Sequence, residues 1–123
     1  MASTEPTAPR QGEIWLVSFG AAHPGEPGKT RPAVVISANG QFTGSVHDLA
    51  IVVPLSSSLS PTLTRPLVHA SPRNGLDADS VVVARAIRGV SLHRLVRHLG
   101  VLDNATVTQV RTILDALLSL PEQ

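Results

Sequence analysis

The chain has 123 residues, 42% of them hydrophobic and 15% charged, with a formal net charge of +1 and no cysteine. That length makes one domain with room for a real core, and the missing cysteines exclude disulfides, thiolate metal sites and cysteine nucleophiles. No apolar run nears the roughly 18 residues of a membrane span, and the N-terminus lacks a signal-peptide pattern, so the cytoplasm is the expected compartment.

Residues 1–9 carry Thr, Pro, Ala and Glu without periodicity and read as a disordered tail. The folded domain is expected over 10–121. Glu13–Phe19 reads as a first strand, too apolar to be half exposed. A Gly- and Pro-rich loop follows to Thr30, and Arg31–Ser37 is the second strand. Leu49–Leu55 is a third, buried strand, with Pro54 expected at its end or at a bulge. After a serine-rich loop come a short strand at Arg65–His69, a turn at Asn74-Gly75 and a strand at Ser80–Arg85. Ile87–Val90 resumes pairing, Ser91 is placed to cap a short turn through Leu95, and Arg97–Leu102 is the last strand.

Asp103 then caps a helix in which Val107, Val110, Ile113, Leu114, Leu117 and Leu118 recur at helical spacing, with Pro121 as its stop. The fold class is α+β: a small, strongly bent antiparallel sheet or barrel with the terminal helix packed on it.

The strongest chemical signal is Lys29-Thr30-Arg31-Pro32, leading straight into Ala33–Ile36. Pro32 pushes Arg31 toward extended geometry, so a guanidinium projects from a stiff strand start, preorganised for an anion such as phosphate. Gly25–Thr30 ends like a phosphate-binding loop, but His23 stands where that pattern needs glycine, and a strand follows where it needs a helix. Ser56 sits one residue past the third strand, where rigid backbone places a hydroxyl accurately; Ser57, Ser58 and Ser60 read as loop serines.

Nine of the ten basic residues are arginine, and Arg65, Arg73, Arg85, Arg88, Arg94 and Arg97 fall in one stretch against only Asp77 and Asp79. Together with Arg31 they point to a polyanion-binding face. Aromatic content of 2% argues against a base-stacking platform. The five histidines show no two-ligand spacing, and Asp77 and Asp79 read as turn caps, so no metal site is expected.

In register, these segments resemble the MazF/PemK/Kid family of bacterial toxin endoribonucleases. The matching residues are Arg10–Trp15, Lys29–Ser37, Ile51–Ser56, Asp79–Val82, Ile87-Arg88, Leu92–Leu102 and the final helix. The resemblance implies an SH3-like barrel, a homodimer, and metal-independent, cofactor-free cleavage of single-stranded RNA at short sequences. It also implies a MazE-like partner antitoxin whose disordered acidic segment covers the RNA site.

The family's essential arginine falls on Arg31, and its assisting threonine falls on Ser56, which keeps the hydroxyl and loses a methyl. A loop glutamate that grips RNA falls on Glu26. Lys29, Thr30, Ser57, Arg85 and Arg88 complete the expected RNA contacts, and Ala86 replaces a family glutamine. Two other readings stay open: a gyrase inhibitor like the CcdB toxins, and an inactive nucleic-acid or antitoxin-binding module.

Overall fold

Residues 8–21 and 28–119 are described in the computed structural model. They form seven strands and one α-helix: β1 (Glu13–Ala21), β2 (Gly28–Val35), β3 (Leu49–Ser56), β4 (Leu67–Val68), β5 (Ser80–Val82), β6 (Arg88–Ser91), β7 (Leu95–Val101) and α1 (Asn104–Leu118). Single 3₁₀ turns at Ala84–Ala86 and Leu92–Arg94 flank β6. All the strand pairing is antiparallel, in the order β4-β5-β3-β2-β1-β7, with β6 added to the start of β3. The result is a curled sheet with one C-terminal helix.

The central strands bury both faces, which is why they read as near-continuous apolar runs. On one face Ile14, Val34, Val53, Leu55 and Leu102 pack with Val107, Val110 and Leu114 of α1. On the other, Val17, Ala33, Val35, Ala50, Val52 and Val90 form a second cluster, bordered by Trp15, Phe19, Phe42 and Leu95. Alternation along each strand deals its side chains to the two cores in turn.

Helix α1 starts where expected: the Asp103 carboxylate accepts from the Thr106 backbone N–H at 3.0 Å and from its hydroxyl at 2.7 Å. Leu118 leaves the packed face and is 74% exposed, and Pro121 lies outside the described residues, as do residues 1–7 of the expected tail. Pro9, at the end of that tail, is buried.

Three other expectations need correction. Strand β2 begins at Gly28 rather than Arg31, because the ladder to β1 runs on through Ser18↔Thr30 to Ala21↔Gly28. Arg31 therefore lies inside a strand, opposite Val17. Ser91 precedes a 3₁₀ turn, as anticipated, but its side chain makes no capping hydrogen bond. Pro54 neither ends β3 nor bulges it; it stands in register with Ala33 two residues before the strand ends.

That placement of Pro54 shapes the site. The β2–β3 register runs from Val35↔Val52 to Ala33↔Pro54 and stops. One step further Pro32 would face Leu55, and two steps further Arg31 would face Ser56. Prolines at 32 and 54 remove two ladder donors at that point, and β3 turns instead to β5 through Leu55↔Val82 and Ser56↔Val81. The sheet forks there, with Arg31 on one branch and Ser56 on the other.

Candidate active site

Two clefts open at the fork, and Arg31, Leu55 and Ser56 line both. The larger has a volume of about 560 Å³. Its floor is apolar, made by Leu16, Pro32, Leu55, Leu76 and Leu99, and its rim carries Thr30, Arg31, Ser56, Ser57, Ser58 and Arg97. The smaller, of about 220 Å³, is lined by Phe19, Lys29, Ala86 and Arg88 besides the shared residues.

Arg31 is exposed, and among the described residues no carboxylate lies within ion-pair distance of it; the ion pairs found there are His69–Asp79 and His98–Glu13. Its guanidinium is thus presented to the clefts rather than neutralised by these acids. Ser56 is half-buried, and its Oγ accepts from the Ser58 backbone N–H at 3.2 Å. That bond occupies a lone pair and leaves the hydroxyl proton free to donate into the cleft. A hydroxyl donor and an exposed cation on opposite branches of one sheet are the groups that an anion in the cleft would meet.

Arg88, paired with Val52 in the β3–β6 ladder, holds its guanidinium 4.9 Å from the centroid of the Phe19 ring. This cation–π contact fixes the charge at the rim of the smaller cleft. At the base of the β1–β2 connection Arg94 donates from Nη1 to the Ser18 carbonyl at 3.3 Å.

Most of the anticipated residues converge, but not all. Thr30 and Ser57 join the larger cleft; Lys29 and Arg88 join the smaller. Arg85 is exposed on the 3₁₀ turn and lines neither cleft, because the chain leaves β5 before it and turns away. Glu26 lies outside the described residues. Ala86 sits at the smaller cleft's wall with no polar group to offer.

Not all of the arginine-rich stretch lies at the clefts. Arg94 is bound to backbone and Arg65 buries its Nε atom, so of these six only Arg88 and Arg97 join Arg31 at the clefts. Arg97 reaches the cleft through strand pairing: Leu16 stands opposite Pro32 on one side and Arg97 on the other. Arg97 thus lies two strand spacings, about 10 Å, from β2 across the cleft floor. Nothing in the local sequence marks it apart from its neighbours.

Asp77 and Asp79, both expected as turn caps, part company. Asp79 accepts from the Ala70 backbone N–H at 2.8 Å and contacts His69 Nδ1 at 3.0 Å, clipping the two ends of the loop before β5. Those bonds, the Ala70 N–H first, hold its carboxyl below the usual 3.8. Asp77 lines the larger cleft instead. Among the described residues no group of three His, Cys, Asp or Glu side chains is placed to hold a metal ion.

A curled antiparallel sheet with one terminal helix, forked at an arginine and a serine that share a cleft, defines a small α+β protein with an arginine-lined cleft on its sheet. The family model described as PemK-like, MazF-like toxin of type II toxin-antitoxin systems matches residues 10–118, and the chain belongs to that family. It is 32% identical over 114 residues to Endoribonuclease MazF9 of Mycobacterium tuberculosis, covering 90% of this chain and 97% of that protein.

The fold is similar to the crystal structure of MazF from Deinococcus radiodurans, with TM-score 0.72 and 23% identity over 94% of this chain and 100% of that one. It is also similar to an endoribonuclease from Mycobacterial species in complex with its cognate antitoxin, with TM-score 0.69 and 22% identity over 94% and 100% of the two chains.

Proposed function

We propose that this chain is a toxin endoribonuclease that cuts single-stranded RNA within short sequences, using the substrate's own 2′-hydroxyl. The observation that carries the reading is that Arg31 and Ser56 line the same two clefts at the fork, the larger of about 560 Å³. In the reaction the 2′-oxygen bonds to phosphorus and the bond to the 5′-oxygen breaks. The hydroxyl gives up its proton and the departing 5′-oxygen gains one, leaving a 2′,3′-cyclic phosphate and a 5′-hydroxyl.

Arg31 grips two non-bridging oxygens through parallel N–H bonds and answers the charge that builds on them. Its guanidinium, which does not give up its proton readily, is a poor base. Ser56 donates a further hydrogen bond and helps set the in-line geometry. Lys29, Thr30, Ser57 and Arg88 hold flanking phosphates and riboses, and Glu26 contacts the strand from the β1–β2 connection.

The barrel is SH3-like and the working unit a cytoplasmic homodimer, as expected for a member of this family. Its partner is an antitoxin whose acidic, extended segment competes with RNA for the arginines around the clefts. Support for that pairing comes from a structural relative solved with its cognate antitoxin. No helix among the described residues is long and apolar enough to cross a membrane.

The test is incubation of the purified protein with a mixed-sequence RNA in EDTA, followed by chemical mapping of the new ends. Expected are 5′-hydroxyl and 2′,3′-cyclic phosphate termini at a recurring short sequence, in unchanged yield with the chelator. An absence of new ends, which the gyrase-inhibitor and inactive-module readings both require, overturns the proposal.

A further inference from the structure

We propose that Asp77 selects the base next to the cut, admitting guanine into the larger cleft and rejecting uracil; this rests on the ribonuclease reading. The cleft's floor of leucines and Pro32 is larger than a phosphate needs and suits the flat face of a base and its ribose. Arg31 and Arg97 flank that floor and provide for phosphates on either side. A carboxylate in the same cleft opposes phosphate binding, so its place calls for a ligand group that donates hydrogen bonds.

Asp77 has no structural task that would explain it. It is exposed to the cleft, and among the described residues its side chain makes no ion pair or hydrogen bond, whereas Asp79 two residues on is fully engaged. The loop that carries Asp77 is fixed. Asn74, buried, accepts from the N–H groups of Ser71 and Leu76, both at 3.0 Å, and donates to the His69 carbonyl at 2.9 Å. The Val101 N–H donates to the Arg73 carbonyl at 3.0 Å, tying the loop to β7. A carboxylate on such a support reads a ligand rather than following it.

Single-stranded RNA offers few donors: the 2′-hydroxyls and the N–H groups of the bases. Guanine alone sets two adjacent donors, its N1–H and its 2-amino group, along one edge, matching the two oxygens of a carboxylate. Adenine and cytosine each offer one amino group. Uracil offers a single N–H between two carbonyl oxygens, which a carboxylate repels. The predicted order is therefore guanine first and uracil last, with a bidentate pair giving roughly tenfold or greater discrimination.

The experiment compares wild type, Asp77→Asn and Asp77→Ala on a randomised RNA pool, sequencing the cut ends. A parallel arm sequences an uncleavable 2′-O-methyl pool retained by each protein. In wild type, one position beside the cut is held to guanine. In Asp77→Asn uracil at that position rises about tenfold, because the new amide N–H donates to a uracil carbonyl, and in Asp77→Ala the position relaxes to all four bases. Cutting of the best wild-type sequence falls by roughly tenfold in Asp77→Ala and by less in Asp77→Asn, which keeps one acceptor oxygen, while cutting at other bases persists.

A preference unchanged in both variants overturns the proposal, as does uracil at the held position. Loss of all cutting by folded Asp77→Asn also overturns it, making Asp77 a general base instead. A wild type that cuts nothing refutes the ribonuclease reading, and the retained pool still reports whether Asp77 discriminates among bases.

Discussion

Arg31 and Ser56 come from strands whose ladder has just been broken by two prolines, and the chemistry proposed for them depends on that break. Inside a continuous ladder both side chains would line up on one face with Ala33 and Val52, which are buried. At the fork they have room for an anion between them. Arg31→Ala is expected to lower cleavage by roughly 10²–10³-fold, the loss seen when a preorganised transition-state donor is removed. Because Arg31 is exposed, the melting temperature should move little. Arg31→Lys keeps the charge without the fork and should recover only a fraction of the rate. Single-turnover cleavage with a parallel thermal melt checks both, and near-wild-type cutting by Arg31→Ala would remove the assignment.

At Ser56 the hydroxyl both accepts from Ser58 and is free to donate. Ser56→Ala is expected to slow the chemical step while leaving RNA affinity nearly unchanged. Ser56→Thr, stiffer at χ1, should match or exceed the wild-type rate. Measuring kcat and KM separately distinguishes these outcomes: a rise in KM alone would make Ser56 a binding contact. Both residues were legible because each is local, an arginine before a proline and a hydroxyl at the end of an apolar run. Arg97 reads only as one arginine of a basic stretch and Asp77 only as a turn cap, because the contacts that bring them to the cleft run between segments far apart in sequence.

Among the elements, the helix and the three long strands announced themselves through apolar periodicity and an Asp cap. Their junctions did not. Pro54 reads as an end or a bulge because proline lacks a ladder donor, yet β3 continues past it by changing partners from β2 to β5. The start of β2 was hidden by glycines and prolines that suit a loop, whereas pairing to β1 keeps Lys29 and Thr30 extended.

The loop between β4 and β5 shows the same dependence on distant partners. Gly75 has φ +69°, and a Cβ there would overlap the Leu99 carbonyl oxygen. The Asn74-Gly75 pair therefore marks a turn, as the sequence indicated, and also a point where backbone presses on β7. Gly75→Ala is expected to cost about 1–3 kcal/mol from the left-handed backbone alone, with a further penalty from the overlap. A thermal melt checks it: a variant as stable as wild type would mean the loop can lift off β7, and with it the presentation of Asp77.

Over the whole molecule, three aspartates tie irregular segments to the sheet and helix. Asp48 accepts from the Thr43 hydroxyl at 2.8 Å and from the N–H groups of Thr43 and Gly44 at 2.8 Å. Asp79 clips His69 and Ala70, and Asp103 caps α1 through Thr106. Each carboxyl titrates below its ordinary 3.8, chiefly through Thr43 for Asp48, Ala70 for Asp79 and Thr106 for Asp103.

As pH falls, the unfolded chain takes up these protons before the folded one does. The stability the three provide is thus complete above about pH 4 and is lost as pH drops through 3.8 toward the lower folded values. With nine arginines among its 123 residues, the protein also gains uncompensated positive charge over the same range. The melting temperature, followed by circular dichroism from pH 7 to pH 2, is expected to be nearly level above pH 5 and to fall below about pH 4.

Replacing Asp48, Asp79 and Asp103 together by asparagine should lower the plateau and flatten the acid limb, because the groups that respond to acid have been removed. A triple variant with an acid limb as steep as wild type would place the acid sensitivity elsewhere, in repulsion among the arginines. The backbone hydrogen bonds of the ladders do not themselves titrate, whereas Asp79 anchors the segment holding Asp77, so acid should loosen that segment before it separates the strands that hold Arg31 and Ser56. RNA selectivity is then expected to fail at a higher pH than the fold, and cut-end mapping at stepped acidity would show it.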